Sequence, residues 1–383
     1  MLSGEIPCLK LTKNWYIPLN KYEQFIKNWI LINHKNDCKK NVYGQVQSWI
    51  KEGLKPRSIT RDIDWGVPLP IKNNQKKVLY VWFDAPIGYI TASKEWCNKN
   101  NKKWESFWKD SKTKLIHFIG KDNIVFHAII FPIMLHEHNE YILPHNIIAN
   151  EFLNLENKKI STSKNWAIWV DEYLKDFPNK QDILRYAIIA NNPEEKDSNF
   201  TWKDFQLRNN SELVGILGNF INRVFILTKK YFKSKVPNSS LHKKEHQELI
   251  KYIDNINNYI KNYKFRNGVR EFINLARYGN KYLQKESPWN KTNEEEIKHI
   301  IFFSIQILGI LSQIMEIFMP FTAKKLLKIL NCKIKPWKDL YLPIIIPPNH
   351  QFNSPKLLFE IIIDKNIDIQ LDKLKKVNNN FNE

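Results

Sequence analysis

The sequence predicts an α/β domain followed by an all-α helix bundle, and two observations lead to that prediction. Between residues 57 and 148, short apolar segments typical of strands alternate with segments of helical periodicity. From Trp202 onward only the helical periodicity recurs, interrupted by short breaks. Strands that alternate with helices indicate a parallel sheet with sites at its carboxyl-terminal edge, whereas consecutive helices with short breaks indicate an antiparallel bundle.

One strand and two helices are predicted before this sheet. Residues 15–19 are typical of a strand, which leads into an amphipathic helix at 22–29. Residues 43–54 have the periodicity of a second helix, which we expect to end near Gly53.

The α/β region is expected to contain three strands. The predicted elements are strands at 77–83, 115–119 and 140–143, and a helix at 124–135. The first strand ends at Asp84-Ala-Pro86 and the second at Gly120, whereas the third continues through Pro144. Small or turn-forming residues at these ends leave room for ligands there.

The helical region begins with a regular apolar stripe and ends in a polar tail. The stripe comprises Leu213, Leu217, Phe220, Val224 and Leu227, and further helical segments cover roughly 244–262, 264–285 and 293–330. From Pro347 onward the chain is rich in Asn, with one amphipathic piece at 354–377.

The chain is strongly basic, with 59 Lys and Arg against 39 Asp and Glu and a formal net charge of +20. This charge indicates a polyanionic partner, either a nucleic acid or a membrane surface. No helix combines a basic face with a strong lipid-facing one, and no uninterrupted apolar run reaches membrane-spanning length, so we expect a soluble nucleic-acid-binding protein with no membrane partner. Mutational drift in an A- and T-rich genome is an alternative source of part of the charge.

Cysteine usage predicts neither a disulfide framework nor a zinc site. Cys8, Cys38, Cys97 and Cys332 are scattered singly, without a Cys-x-x-Cys pair. The first residues lack the basic and then apolar pattern of a signal sequence. We therefore expect a cytoplasmic protein without a metal site.

The stretch richest in chemistry is a basic, hydroxyl-rich loop. Lys158, Lys159 and Lys164 bracket three consecutive hydroxyl residues at 161–163, and no acidic residue falls among them. Mobile positive charge beside small hydroxyl side chains suits a polyphosphate whose charge grows as a bond breaks. A solvated Lys/Ser turn is the alternative that composition alone favours.

Lys159-Ile-Ser-Thr-Ser163 resembles the Lys-Met-Ser-Lys-Ser loop of class I aminoacyl-tRNA synthetases and, with its surroundings, the methionyl-tRNA synthetase family. The catalytic residues that this resemblance implies are Lys159, Ser161, Thr162, Ser163 and Lys164. Thr162 stands where the family has its second lysine, which helps neutralise the pyrophosphate of ATP. The resemblance therefore assigns the charge to Lys159 and to Lys158 or Lys164, with Thr162 as a hydroxyl donor.

The segment Trp82-Phe-Asp-Ala-Pro-Ile-Gly-Tyr89 resembles the methionine pocket of the same family. By chemistry alone, a structural junction with buried aromatic side chains is favoured. The resemblance implies that Trp82, Ala85, Pro86 and Tyr89 surround the methionine side chain. A polarizable thioether against aromatic faces is physically reasonable.

The segment His117-Phe-Ile-Gly-Lys-Asp-Asn-Ile-Val-Phe-His127 supplies the expected nucleoside site. Gly120 allows close backbone approach, Lys121 offers charge, and Asp122 can accept a ribose hydroxyl, although a plain helix cap is its alternative role. The resemblance implies that Gly120 and Asp122 lie beside the adenosine and that His127, otherwise a satisfied buried histidine, closes the methionine pocket. The expected ATP-binding residues are Gly120, Lys121, Asp122, Lys159 and Thr162, and the role of Asn123 stays open.

Two segments of the helical region resemble the family's anticodon-reading site. Asn219 and Arg223 are four residues apart and share a helix face, and Ser287-Pro-Trp289 resembles the joining Pro-Trp turn. An ordinary solvated pair is the alternative. The resemblance implies that Asn219, Arg223, Pro288 and Trp289 bind the anticodon, because edge hydrogen bonds and aromatic stacking recognise single-stranded bases.

The likeness runs along nearly the whole chain, but the His-Ile-Gly-His turn of the family's first catalytic half is absent from it. We therefore expect a partial Rossmann-like class I catalytic domain followed by an anticodon-binding helix bundle, in a truncated or split methionine–tRNA ligase. The expected divisions are 1–56, a remnant of the connective or catalytic region; 57–205, the second catalytic half; 206–346, the anticodon-binding domain; and 347–383, a polar tail.

The resemblance implies ATP with Mg²⁺, methionine and methionine tRNA as ligands, and a separate N-terminal half as a further partner. Two alternatives are a non-catalytic tRNA-binding protein and a synthetase for another bulky aliphatic amino acid. The nearly intact catalytic segments count against the first, and the lack of room for an editing insertion counts against the second.

Overall fold

The computed structural model describes residue 9 and the ranges 11–72 and 77–379. These residues divide into two compact units, Met1–Phe152 and Leu153–Glu383, and each is described by itself. The four divisions expected from the sequence stay predictions.

Short strands and surrounding helices build the first unit. The strands are β1 (Tyr16–Ile17), β2 (Arg57–Ser58), β3 (Thr60–Arg61), β4 (Val78–Leu79), β5 (Ile116–Gly120) and β6 (Asn146–Asn150), and the longer helices are α1 (Lys40–Glu52), α2 (Ile87–Lys99) and α3 (Phe131–His138). β1 pairs with β2 and β3 with β4, both antiparallel, whereas β5 and β6 are parallel with Ile116 opposite Asn146. Helical turns at 19–33 precede α1, which ends at Gly53 (φ 81°) as expected.

The core of the first unit lies between the parallel strands and the helices. Ile26, Val42 and Val46 from the N-terminal helices are fully buried in one cluster with Ile129 and with Ile147 of β6. A parallel strand that is covered by helices is apolar on both sides. The predicted strand at 115–119 and the helix at 124–135 are confirmed as β5 and as helical turns that run from Phe126 through α3.

The predicted strand at 77–83 is wrong over most of its length. Only Val78–Leu79 pairs as a strand, and Val81–Asp84 forms a helical turn. The Phe83 amide donates to the Tyr80 carbonyl (2.7 Å) and the Ala85 amide to the Val81 carbonyl (2.9 Å), so local bonds replace a strand ladder. An apolar run of this length does not by itself distinguish a strand from a helix.

The third predicted strand, at 140–143, is also misplaced. The strand lies later, as β6 at Asn146–Asn150, and forms five parallel pairs with β5. Pro144, which lacks an amide hydrogen, lies before the ladder begins. The run from Ile147 to Ala149, buried throughout, is the better strand signal.

The second unit is mostly helical. A small sheet contains β7 (Leu153–Leu155), β8 (Lys158–Lys159) and β9 (Ser198–Phe200), and the longer helices are α4 (Val170–Asp176), α5 (Gln181–Ala190), α6 (Trp202–Phe232), α7 (Lys243–Lys261), α8 (Phe265–Glu286), α9 (Glu294–Phe318), α10 (Pro320–Leu330) and α11 (Asp364–Asn379). The predicted stripe on α6 is confirmed, since all five of its apolar side chains are buried. The predicted helical segments at 244–262 and 264–285 are confirmed as α7 and α8.

The segment predicted at 293–330 contains two helices, which break at Met319-Pro320. Asp182 of α5 accepts the Thr322 amide (2.6 Å) at the start of α10. Arg185, also on α5, donates to the Phe318 carbonyl (3.0 Å) at the end of α9. These side chains pair backbone groups that the break leaves without helical partners.

By length and composition alone, α6 and α9 could cross a membrane. In the second unit, however, 89% of the most apolar window of α9 is buried inside the protein, and half of that of α6. Burial in a protein core therefore accounts for the apolar character of α9.

The segment after Pro347 packs onto the second unit. Phe352, Phe359 and Ile362 are buried in its core. The Asn210 side-chain amide both donates to the Ile362 carbonyl (2.9 Å) and accepts its amide (2.9 Å), and Asn209 donates to the Glu360 carbonyl (2.8 Å). The predicted amphipathic piece is confirmed in part, as the helix α11.

Candidate functional site

In the first unit, aromatic and imidazole side chains form a cluster beside the end of β5. Tyr89 on α2 lies 3.0 Å from Nε2 of His127, whose Nδ1 is 3.0 Å from the Asn123 carbonyl oxygen. A carbonyl can only accept, so Nδ1 carries the proton of the neutral ring and Nε2 accepts from the Tyr89 hydroxyl. Burial lowers the pKa of His127, against the opposing hydrogen bond to Asn123, and favours this neutral form.

His117 belongs to the same cluster, although no role was predicted for it. Its ring lies 5.4 Å from that of His127 and stacks on Phe131 at 6.0 Å. Neither ring nitrogen has a hydrogen-bond partner, and burial, followed by the electrostatic effect of the neighbouring His127, lowers the pKa of His117 to about 4. An unpartnered buried imidazole can bind a polar ligand group.

The other side chains expected around methionine lie in the helical turn at Val81–Asp84 and at the start of α2. Trp82 stacks on Phe126, with 5.2 Å between ring centroids. Pro86 is buried and begins α2, whereas Ala85, Trp82 and Tyr89 are exposed. Tyr89 contacts His127, and Trp82 packs on Phe126, the residue before His127. The structure thus brings Trp82 and Tyr89 next to the segment that carries His127.

The predicted nucleoside residues follow β5 directly. Gly120 ends the strand, and a Cβ there would lie 2.7 Å from the Asp122 carboxylate, so a larger residue would displace that side chain. Asp122 is exposed and lies within the 3₁₀ turn Lys121–Asn123, not at its N-cap. The helix-cap alternative for Asp122 is therefore not observed.

Lys121 is already engaged within the first unit. Its ammonium group lies 2.7 Å from the carboxylate of Glu151, and it also lies over the Phe152 ring at 4.3 Å. A phosphate that binds Lys121 would have to compete with this ion pair. Glu151 is thus a residue that sequence reasoning missed. It lies beside Lys121 because β5 and β6 pair in parallel with Gly120 opposite Asn150.

The basic loop of the second unit extends from a tight hairpin. β7 and β8 pair through a turn at Glu156 and Asn157, both with positive φ (47° and 62°), as type I′ hairpins require. The Asn157 side chain accepts from Asn199 Nδ2 (2.9 Å), whose own Oδ1 accepts the Asn157 amide (2.8 Å). β9, which carries Asn199, also pairs with β7, so the base of the loop is fixed.

The hydroxyl residues form a closed turn beyond this hairpin. Ser161 and Trp166 exchange two backbone hydrogen bonds of 3.0 and 2.9 Å, around the 3₁₀ turn Thr162–Lys164. Ser161 Oγ and Ser163 Oγ are 3.2 Å apart, and Thr162, Ser163 and Lys164 are exposed.

Contacts of Trp166 with the hairpin strands hold this turn in place. The Trp166 indole donates to the Leu155 carbonyl (3.0 Å), and the Lys158 ammonium lies 4.8 Å from its ring centre. Lys158 and Lys159 form β8 and are exposed. The loop therefore presents cationic and hydroxyl groups on a rigid base, an arrangement that suits an anionic ligand.

The residues expected to bind the anticodon lie close together in the second unit. The Arg223 guanidinium lies over the Trp289 ring at 5.3 Å and donates to Gln284 (3.4 Å). Trp289 is 39% exposed in the turn Pro288–Asn290, which follows Ser287 in a left-handed conformation (φ 43°). Pro288 is buried and Asn219 is exposed one helical turn before Arg223.

Two known family models match the parts of the chain that contain these segments. A family model described as tRNA synthetases class I (M) matches residues 1–225, which is more than half of the chain. The chain belongs to this family. A second model, the anticodon binding domain of methionyl tRNA ligase, matches residues 236–377. The resemblance and the fold class predicted from the sequence are thus confirmed.

The curated relatives described here are both named methionine–tRNA ligase. Methionine–tRNA ligase of Christiangramia forsetii is 53% identical over 387 residues, a match that covers 98% of this chain and 56% of the relative. That of Bacteroides fragilis is 49% identical over 390 residues and is matched over 57% of its length. The chain thus spans somewhat more than half the length of these relatives.

Solved class I synthetase structures share the fold. Mycobacterium tuberculosis methionyl-tRNA synthetase in complex with methionyl-adenylate has a TM-score of 0.78 and 22% identity, over 90% of this chain and 68% of that one. The free form of the same enzyme has a TM-score of 0.76. At this identity the likeness supports the fold alone.

Proposed function

We propose that the chain acts in methionine–tRNA ligase chemistry, namely ATP-dependent activation of methionine and its transfer to methionine tRNA. The observation that carries the proposal is the presence of both family matches, class I (M) over 1–225 and the methionyl anticodon domain over 236–377, in one chain. Two relatives named for this activity are about half identical to nearly all of the chain.

In this proposal the first unit holds methionine and the nucleoside. Neutral His127 fixes the Tyr89 ring through its hydrogen bond, and the two side chains form an uncharged wall with Trp82, Ala85 and Pro86. Such a wall suits a thioether and disfavours a charged side chain, which would lose its hydration there. Gly120 and Asp122 receive the adenosine, and the exposed Asp122 carboxylate accepts a ribose hydroxyl.

The loop of the second unit serves the pyrophosphate that leaves ATP. Lys159 and the flanking Lys158 and Lys164 supply the charge, and Thr162 donates a hydroxyl hydrogen bond, with Ser161 and Ser163 beside it. Lys121 contributes less free charge, because Glu151 already pairs with it. Mg²⁺ enters with ATP and neutralises part of its phosphate charge. Catalysis of this kind depends on orientation and charge stabilisation.

The second unit also binds methionine tRNA through Asn219, Arg223, Pro288 and Trp289. The contact between Arg223 and Trp289 supports a surface on which a base stacks while a guanidinium group binds its edge. A cytoplasmic location is consistent with this role in translation.

A second candidate is a tRNA-binding protein without catalytic activity. The Arg223–Trp289 surface lies within a self-contained unit with its own core, which supports binding independent of catalysis. Such a protein would bind tRNA through this surface and leave methionine and ATP unchanged.

Methionine-dependent ATP–pyrophosphate exchange, run beside binding of methionine tRNA, separates these functions. Exchange above that of a Lys159→Ala variant supports the ligase proposal for this chain alone. Binding without exchange supports the tRNA-binding alternative, or a catalytic half that a separate chain supplies. The absence of both exchange and tRNA binding would refute both functions.

A Thr162→Lys variant tests the loop. If Thr162 limits pyrophosphate stabilisation, the added lysine raises the exchange rate. An unchanged rate and ATP affinity would instead mean that Lys158 or Lys164 already supplies the charge.

A further inference from the structure

Three side chains of types that bind metals meet in the second unit, and none of them belongs to the predicted sites. His242 immediately precedes α7, Glu245 lies in its first turn, and His299 lies near the start of α9. One nitrogen from each ring and one carboxylate oxygen all lie within 4.8 Å of one another. Neither Cys spacing nor any short sequence motif indicates this cluster, because 54 residues separate Glu245 from His299.

The distances within the cluster are close to those of a tetrahedral centre. His299 Nε2 lies 2.9 Å from Glu245 Oε1, and His242 Nδ1 lies 3.6 Å from Glu245 Oε2. Zinc bonds of about 2.0–2.2 Å at tetrahedral angles separate neighbouring ligand atoms by roughly 3.3 Å. The three donor atoms, which lie within 4.8 Å of one another, are therefore near the separation that a tetrahedral ion requires.

The donor set selects a class of cation. Two imidazoles and one carboxylate suit Zn²⁺ or a similar transition metal, whereas Ca²⁺ and Mg²⁺ require mainly oxygen ligands. The His242 side chain is 73% exposed, whereas those of Glu245 and His299 are 15% and 20% exposed. Two ligands are therefore held in place, and the third, with a solvent-facing fourth position, remains accessible.

An ion pair with a helix cap is the simpler explanation for part of this geometry. Glu245 binds His299, and its carboxylate also accepts the His242 backbone amide (2.9 Å) at the start of α7. The His242 side chain also faces Glu245 in the capping box at the start of α7, 3.6 Å from the carboxylate. A metal ion bound to both rings and the carboxylate would hold the same three groups together, and the two ring centres lie 4.1 Å apart.

We propose that His242, Glu245 and His299 form a transition-metal site of the zinc type, which joins the beginning of α7 to the beginning of α9. The proposal does not depend on the function proposed above. Lys243, Lys244 and the partial positive charge of the α7 N-terminus oppose a dication here. We therefore expect weaker binding than in a closed site with four protein ligands.

The test is titration of the full chain, without a histidine tag and after removal of metals, with Zn²⁺ by calorimetry and with Co²⁺ by visible absorption. The wild-type chain should bind one Zn²⁺ and give the absorption bands of four-coordinate Co²⁺. His299→Gln and Glu245→Gln should each weaken binding by roughly tenfold or more.

Two further variants separate a metal site from an ion pair and from general histidine binding. His242→Gln changes an exposed side chain and leaves the Glu245–His299 pair intact, so it should keep the fold, judged by circular dichroism, and lose the metal. His246→Gln is the matched control, because His246 follows Glu245 on α7 and binds the Tyr341 carbonyl (3.0 Å) outside the cluster. Its affinity should equal that of the wild type.

Two outcomes would overturn the proposal. One is the absence of saturable Zn²⁺ binding by the wild-type chain. The other is a His242→Gln affinity equal to that of the wild type, which would leave only the ion pair and an adventitious ion.

Discussion

At the scale of single residues, the first unit keeps two neighbouring histidines uncharged. His117 and His127 lie with their rings 5.4 Å apart, and burial lowers the pKa of both. Protonation of either ring would place a charge in a buried site, which costs free energy unless a partner pairs with it. The Tyr89 hydroxyl and the Asn123 carbonyl occupy both nitrogens of His127, whereas those of His117 have no partner.

This arrangement predicts that acid destabilises the first unit through His117. The pKa of His117 is about 4 in the folded chain, below its ordinary value of 6.5, so the unfolded state binds the proton first as the pH falls. Stability is thus full above pH 6.5 and is lost progressively toward pH 4. Between pH 7 and pH 5 the loss is about 2 kcal/mol.

The measurement is urea unfolding of the wild type and of His117→Phe at both pH values. Phenylalanine keeps the stacking on Phe131 but cannot take up a proton. The pH dependence of the variant should be smaller by about 2 kcal/mol. Equal pH dependence would show that the pKa of His117 is not lowered in the folded chain.

At the same scale, Trp289 tests the proposed anticodon surface. If a base stacks on its exposed ring, Trp289→Ala should weaken binding of an anticodon stem-loop with the sequence CAU by about 1–3 kcal/mol. Trp169→Ala is the control, because Trp169 is exposed to the same degree (40%, against 39%) in another part of the second unit. Unchanged binding by the Trp289 variant would remove this residue from the site.

Some of these residues could be predicted from the sequence, and others could not. Trp82, Tyr89 and His127 lie in segments whose order and spacing carry a family resemblance. His117 stands in the same segment, but no pattern distinguishes a buried histidine without a partner from one that is satisfied. Glu151, which pairs with Lys121 30 residues earlier, depends on how β5 and β6 align, which the sequence does not give.

At the scale of secondary-structure elements, the crossing of α6 and α8 depends on a glycine. A Cβ at Gly279 would lie 2.4 Å from the Phe220 ring, which is fully buried in the core of the second unit. The absence of a side chain thus allows the two helices to pack closely. Gly268, on the same helix α8, has no atom closer than 3.5 Å to the position of a Cβ.

These two glycines provide a matched pair of substitutions. Gly268→Ala should raise the free energy of unfolding by up to about 1 kcal/mol, because alanine favours the helix. Gly279→Ala gains the same term but overpacks the core, which costs about 1–3 kcal/mol, so the net effect should be destabilising. Urea unfolding followed by circular dichroism measures both, and equal stabilisation by the two alanines would contradict the tight crossing.

The helices of the second unit were easier to predict than the strands of the first. An apolar stripe such as that on α6 persists over several turns, so its period is unambiguous. The run at 77–83 is too short for its period to decide between strand and helix, and the turns at Val81–Asp84 depend on local hydrogen bonds. The break between α9 and α10 falls at Pro320, a residue type that favours the first turn of a helix. Side chains of α5 form hydrogen bonds with the backbone groups that this break leaves without helical partners.

At the scale of the whole molecule, the first unit exposes many large apolar side chains. Trp65 is 83% exposed, Phe118 on β5 is 56% exposed and Val81 is 53% exposed. Exposed apolar groups and a parallel sheet in which the described residues form two strands, β5 and β6, are features that a partner commonly covers. Because curated relatives are nearly twice as long, we propose that such a partner is the part of the synthetase that this chain does not match.

Complementation tests this proposal. A separate chain that carries the unmatched part of the Christiangramia forsetii relative should restore or raise methionine-dependent ATP–pyrophosphate exchange when it is mixed with this chain. Phe118→Asp should weaken the effect, because it places a charge on the apolar surface. A matched exposed position is Lys99, where Lys99→Asp should have little influence. Mixing without any gain in exchange or binding would contradict the proposal.

The amide contacts between α6 and the segment at 360–362 also determine when the second unit can finish folding during synthesis. Gln206, Asn209 and Asn210 find their backbone partners only 151 to 156 residues later in the chain. At about 5–20 residues per second, a ribosome needs roughly ten to thirty seconds to make that interval. Throughout it, the polar side chains at the beginning of α6 lack these partners, so the second unit completes its hydrogen bonds only after the segment at 360–362 has been synthesised.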